Sequence, residues 1–220
     1  MEKSVRNNFH PKNQIHSQAP SFIFDIGNVL ISCDFNYGAE LIARHSPLSP
    51  QEILSRFEES KLTDTFDLGA ITKEEFARQV RRTCLWENTV EELENIWNSM
   101  LKPELEMLEL LEELQQQAYP TYLLSNINPF HLPYVKECFP ILSRTTGQTY
   151  SCEINLIKPS RAIFEHIATT FELDPSRSLF IDDREENVEA AKQVGFRAIR
   201  HQRISTTRME IEQFILDCTS

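Results

Sequence analysis

The chain has 220 residues, enough to bury a full core, and its 40% hydrophobic and 25% charged residues are those of an ordinary soluble globular protein. A formal net charge of -11 excludes the basic stripe that nucleic acid or an anionic membrane needs, and no apolar run approaches the roughly 20 residues of a membrane-spanning helix. Five cysteines, an odd number without close spacing, suggest neither a disulfide framework nor a zinc knuckle and point to reduced thiols in a cytoplasm.

Residues 1–20 are polar and lack the apolar stretch of a signal peptide, so they read as a flexible tail. The run Phe22-Ile23-Phe24 that follows is a buried strand, and Asp25 interrupts it just before the Gly27-Asn28 turn signal. A carboxylate therefore sits at the C-terminal end of a strand, which is where open α/β sheets bind ligands. From Asp34 to about Lys102 the character is helical. Ser49, Thr72 and Thr89 each precede a Glu by three residues, the mark of a capping box, and Pro50 adds a favoured first helical residue. Phe76 and Val80, then Leu93, Ile96, Trp97 and Met100, form apolar stripes that read as packing.

Pro103 opens a further helix whose apolar face is Leu105, Leu108, Leu110 or Leu111, and Leu114, ending near Gln117. Tyr122-Leu123-Leu124 is a second buried strand and stops at Ser125-Asn126. A helix over residues 160–170 leads to a third strand, Leu179-Phe180-Ile181, which ends at Asp182-Asp183. A helix from Glu185 to Val194 stops at Gly195, and Phe196 to Ile199 is a candidate strand. Strands alternating with helices of ten or more residues predict an α/β fold, a doubly wound parallel sheet. The domains follow: a core of residues 21–33 and 103–220, with residues 34–102 inserted as a helical bundle.

Parallel strands put their C-terminal ends on one rim, so Asp25, Ser125-Asn126 and Asp182-Asp183 converge despite their separation in sequence. Carboxylates gathered there repel one another unless a cation holds them, and an all-oxygen site suits Mg²⁺. Lys158, in Leu156-Ile157-Lys158-Pro159, is a fourth candidate, whereas the histidines match no ligand spacing.

These four stretches, Phe24 to Leu30, Leu123 to Asn126, Lys158-Pro159 and Phe180 to Val188, together resemble the motifs of the haloacid dehalogenase superfamily. Phe66-Asp67-Leu68-Gly69-Ala70-Ile71-Thr72 is similar to its cap sequence. Among the branches, the Asp-Ile-Gly-Asn-Val opening is most similar to the bacterial α-D-glucose-1-phosphate phosphatases. The resemblance implies a Mg²⁺-dependent hydrolase of a small phosphomonoester. Asp25 would be the nucleophile; Asp25, the Gly27 carbonyl and Asp183 would hold the metal, with Asp182 beside it orienting a metal-bound water. Ser125, Asn126 and Lys158 would bind phosphate, Lys158 also pairing with Asp25.

One departure matters. The usual motif carries a second aspartate two residues after the nucleophile as general acid, and here that position is Gly27. An anomeric hydroxyl needs little protonation on leaving, so glucose 1-phosphate suits the site better than a 6-phosphate. Asp34 is a candidate for the missing carboxylate, its plainer reading being a solvated loop residue. The rival readings are a 2-haloacid dehalogenase, a phosphomutase, and a fold of this type that has lost catalysis and only binds.

Overall fold

The computed structural model describes residues 19–219, so most of the expected tail, residues 1–18, lies outside the described residues. In chain order, β1 (Ser21–Phe24) and β2 (Ile31–Cys33) precede five helices: α1 (Phe35–Ala43), α2 (Pro50–Ser60), α3 (Leu62–Asp67), α4 (Lys73–Cys84) and α5 (Val90–Ser99). Next come β3 (Leu101–Pro103), α6 (Leu105–Gln116), β4 (Thr121–Ser125), α7 (His131–Cys138) and β5 (Gly147–Tyr150). The short α8 (Ser151–Ile154), α9 (Arg161–Thr170), β6 (Ser178–Asp182), α10 (Glu185–Val194), β7 (Arg197–Arg200) and α11 (Ile204–Thr219) complete the chain.

Five strands form one parallel sheet in the order β5-β4-β1-β6-β7, and β1 lies in the middle. Alternation along β1 explains its two-sided burial: Phe22 and Phe24 face a layer built with α6 and α11, while Ile23 faces α9 and α10. Each fully buried side chain of this size contributes roughly 1.5–3 kcal/mol. Register then fixes the rim. Phe24 pairs with Leu123 on β4 and with Ile181 on β6, so the residues that follow all three emerge side by side at the C-terminal edge.

The helical segment α1 to α5 leaves the sheet through β2 and returns through β3, which pair antiparallel as a separate two-stranded ribbon. Its helices bury their own apolar cluster around Ile53, Phe66, Phe76, Leu93 and Trp97. Phe130, which follows β4, enters that cluster and meets the Phe66 ring edge-on at 5.0 Å.

Three local expectations shift. The boxes at Ser49 and Thr89 are reciprocal, but Thr72 caps α4 one way only, because Glu75 turns to Gln79 at 2.8 Å and to Arg78. Pro103 does not open α6. It ends β3, opposite Ile31, and Glu104 stands at the cap position. The buried face of α6 is consequently Met107, Leu110, Leu111 and Leu114, while Leu105 is 66% exposed.

Candidate active site

At the rim, Asp25 follows β1, and its amide donates to the Ile181 carbonyl at 2.9 Å, continuing the sheet one residue beyond the strand. The chain then turns through Asn28, whose φ of 53° is left-handed, a conformation that asparagine tolerates better than most residues. Asn28 Nδ2 donates to Asp183 Oδ2 at 3.3 Å and Asn28 Oδ1 accepts from the Cys33 amide at 3.3 Å, tying this turn to the end of β6. Gly27 itself has an ordinary φ, and a Cβ built on it would meet no heavy atom within 4 Å, so neither backbone nor crowding demands a glycine there.

Lys158 is the electrostatic centre. Its buried ammonium donates to Asp25 Oδ1 at 2.9 Å, Asp182 Oδ2 at 2.7 Å and the Leu124 carbonyl at 2.9 Å, which satisfies all three of its protons. Burial works to lower its pKa, but the carboxylates of Asp25 and Asp182 outweigh it and hold the ammonium above its ordinary value. Asn126 fixes the Lys158 backbone from both sides, donating to its carbonyl at 3.0 Å and accepting from its amide at 2.8 Å.

The two aspartates after β6 differ. Asp182 is fully buried, and both oxygens are engaged: Oδ1 accepts from the Arg184 amide and Asn187 Nδ2, each at 2.9 Å, and Oδ2 from Lys158 and again Asn187. Asp183 is less buried, and among the described residues its carboxylate takes one side-chain hydrogen bond, the long contact from Asn28. Burial first, and then Asp182, raise the Asp183 pKa. Burial likewise pushes Asp25 up to about 7, with Asp182 adding and Lys158 and the Ser125 hydroxyl opposing. Such crowding is what an added cation would relieve. Carboxylate oxygens of Asp25, Asp182 and Asp183 lie within 4.8 Å of one another. Asn187 Oδ1, which belongs to a side chain lining the same cavity, is buried with no hydrogen-bond partner among the described residues. A donor set of hard oxygens with one orphaned carbonyl fits Mg²⁺.

These groups line a cavity of about 380 Å³ between the sheet rim and the helical segment. The structure brings Asp25, Gly27, Ser125, Asn126, Lys158 and Asp183 together on its wall, with Asp182 immediately behind. Asp34 does not join them: its carboxylate caps α1 by accepting from the Tyr37 amide at 3.0 Å and lies near Lys102. That backbone hydrogen bond, with Lys102 assisting, lowers the Asp34 pKa.

Sequence reasoning assigned no role to three further wall residues, Asp67, Asn128 and His131. Asn128 Oδ1 accepts from the amides of Phe130 and His131, while its Nδ2 donates to Asp67 Oδ1 at 3.0 Å and to His131 Nδ1 at 3.2 Å. An accepting Nδ1 fixes the tautomer, so Nε2 carries the proton given to the Trp97 carbonyl at 3.0 Å. Burial pushes the His131 pKa down to about 4, which keeps this strut neutral. An Asn shortly after a strand end and an Asp two residues before a glycine were the available signals, and neither is specific.

Residues 21–195 match the profile described as haloacid dehalogenase-like hydrolase. A D-ribitol-5-phosphate phosphatase of Bacteroides thetaiotaomicron is 24% identical over 198 residues, spanning 87% of this chain and 96% of that protein. The sesquiterpene phosphatase astK of Aspergillus oryzae is 28% identical over 115 residues, 52% of this chain and 59% of that protein. Among solved structures, a haloacid dehalogenase family enzyme of Bacteroides thetaiotaomicron in complex with magnesium and inorganic phosphate superposes with a TM-score of 0.75 at 27% identity. That match covers 84% of this chain and 94% of the other.

Proposed function

This chain belongs to the haloacid dehalogenase-like hydrolases, and on that premise we propose that it hydrolyses small phosphomonoesters with Mg²⁺ through a phosphoryl intermediate on Asp25. The observation that carries the reading is the placement of Asp25, 2.9 Å from a buried Lys158 and beside Asp183 and Ser125, on the wall of the cavity. Asp25, Asp183 and the Gly27 carbonyl would hold the metal. When bound, Mg²⁺ neutralises phosphate and nucleophile together, so that anion need not attack anion. Asp182 holds Lys158 in place rather than contacting metal, since its oxygens are already engaged.

Asp25 attacks phosphorus in line with the departing alcohol, and water then releases inorganic phosphate and restores the carboxylate. Ser125 and the Asn126 backbone bind and orient the phosphate, and the Lys158 charge, held beside Asp25, attracts it. Residues 34–102 act as a cap that closes over the bound ester and excludes water during attack. The substrate class is a small phosphorylated sugar or sugar alcohol. Glucose 1-phosphate, whose anomeric leaving group needs little protonation, is one member, and ribitol 5-phosphate, the substrate named for a relative similar over nearly its whole length, is another. A 2-haloacid, itself a carboxylate, would meet Asp25 and Asp183 at close range, which disfavours dehalogenation. Five unpaired cysteines support a cytoplasmic location. Phosphate release from glucose 1-phosphate, ribitol 5-phosphate and glucose 6-phosphate, with Mg²⁺ and with EDTA, tests the reading. Release undiminished in EDTA, or chloride release from a 2-haloacid, would overturn it.

A further inference from the structure

We infer that Asp67, carried into the cavity by the end of α3, is the proton donor to the leaving alcohol, taking the place left open by Gly27. The inference rests on the phosphomonoesterase reading. An alkoxide is a poor leaving group unless a proton reaches it as the bond to phosphorus breaks. Few groups on the cavity wall have a proton to give. Lys158 has all three donated to Asp25, Asp182 and Leu124. His131 donates its one proton to Trp97, and burial holds the ring neutral, down to about 4. The Cys33 thiol is pushed up to about 12, chiefly by burial and then by Asp67 and Asp34, and makes a weak acid. Asp64 is exposed to solvent, and Arg184 is engaged by Glu186 at 2.7 Å.

Asp67 differs on three counts. Its Oδ1 is anchored by Asn128 Nδ2 at 3.0 Å, while Oδ2 has no hydrogen-bond partner among the described residues. Its backbone is pinned to the core: the Ser151 hydroxyl donates to the Asp67 carbonyl and Asn155 Nδ2 to the Leu68 carbonyl at 3.0 Å. Gly69, with φ of 72°, brings this turn so close to α8 that a Cβ would lie 2.4 Å from the Cys152 carbonyl oxygen. The carboxyl is therefore held in the wall by the core although it belongs to the helical segment. Burial raises its pKa to about 7, with Asp64 adding and Asn128 and Arg184 opposing; the thiols of Cys33 and Cys152 are its other titratable neighbours. Gly27 leaves the space around it open, with no heavy atom within 4 Å of where a Cβ would stand.

The step balances. A carboxylate oxygen of Asp25 forms the new bond to phosphorus, the bond from phosphorus to the ester oxygen breaks, and the proton on Asp67 passes to that oxygen to give a neutral alcohol. In the second half, water attacks the phosphorylated Asp25 and its proton returns to the Asp67 carboxylate as phosphate leaves.

The test compares kcat/KM, which reports leaving-group departure, for wild type and Asp67→Asn. The amide still accepts from Asn128 but has no acidic proton. On the alkyl esters ribitol 5-phosphate and β-glycerophosphate the variant should lose about 10²-fold or more, while p-nitrophenyl phosphate, whose leaving group needs no proton, should change little. Wild-type kcat/KM on the alkyl esters should fall as pH rises through about 7, because the acid form donates, and that limb should be missing in Asp67→Asn. Carboxyl carbon NMR with Mg²⁺ present should show one resonance titrating near pH 7 that the variant lacks. Adding Gly27→Asp to Asp67→Asn should restore alkyl ester turnover. Equal losses on both ester types, no loss on either, or a wild type that hydrolyses only p-nitrophenyl phosphate would each overturn the role of Asp67. A wild type inactive on all three esters would instead remove the phosphatase reading beneath it.

Discussion

Replacing Lys158 by methionine keeps the aliphatic stem and removes one charge, and the geometry assigns that charge a large effect. Its ammonium lies 2.9 Å from Asp25 and 2.7 Å from Asp182, with 1% of its side chain exposed. Without it, two buried carboxylates face each other with no cation between them. Removing one partner from a buried ionic network costs about 3–5 kcal/mol, chiefly because the remaining charges are left uncompensated. For a domain of this size each kcal/mol lowers Tm by roughly 2–4 °C, so the expected fall is about 6–20 °C. Circular dichroism melts in EDTA at pH ~8 measure it. Lowering the pH to ~5 should narrow the gap: Asp25 already takes up a proton near 7, and losing Lys158 raises that value further. The folded variant then binds a proton that the unfolded chain does not, and stability rises as pH falls. Adding Asp182→Asn to the variant should recover most of the loss. A Lys158→Met melt within about 2 °C of wild type, or a double variant weaker than the single one, would refute the claim that Lys158 holds these carboxylates together.

Gly69→Ala should destabilise by at least about 2 kcal/mol, since the left-handed φ alone costs roughly 1–2 kcal/mol and the new Cβ would meet Cys152 backbone; Gly27→Ala, which meets nothing, should be near neutral in the same melts. Asp183→Asn should raise the Mg²⁺ concentration for half-maximal activity by about 10-fold or more, whereas Asp182→Asn should lower Tm, because its oxygens hold Lys158 and Asn187. His131, neutral down to about 4 when folded and protonated below about 6.5 when unfolded, favours the unfolded chain as pH falls. Urea titrations of wild type and His131→Gln between pH ~7.5 and ~4 should therefore converge by about 3 kcal/mol in the variant's favour.

The rim was legible because each of its strands is a continuous apolar run broken by a polar residue. Phe24 to Asp25, Leu124 to Ser125 and Ile181 to Asp182 all mark a point where a buried apolar run gives way to a buried polar residue, and a parallel sheet aligns such points by register. The helix from Glu185 to Val194 was legible to the residue because Gly195, at φ of 105°, is a left-handed stop. Elsewhere the local signals were weak or ambiguous. β5, Gly147–Tyr150, opens on a glycine and has little apolar content, and only pairing with β4 makes it a strand. In α1 the interior Gly38 lowers helix propensity, and packing against Met100 explains it: a Cβ there would lie 2.2 Å from the Met100 sulfur. Pro103 read as a helix start because proline suits a first helical turn and an edge strand equally, and the tertiary pairing with Ile31 decides between them. Asp67 and Asn128 could not be joined from sequence, since the hydrogen bond between them links residues 61 positions apart across two layers.

The central claim is that Asp25 becomes covalently phosphorylated. Mixing the protein with Mg²⁺ and ribitol 5-phosphate, quenching in acid within the first turnovers and mapping peptides by mass spectrometry tests it most directly. The account predicts one added phosphoryl group on the peptide containing Asp25, lost in Asp25→Asn and in EDTA. Steady phosphate release with that peptide unmodified at every quench time, or with Asp25→Asn still turning over, would contradict it.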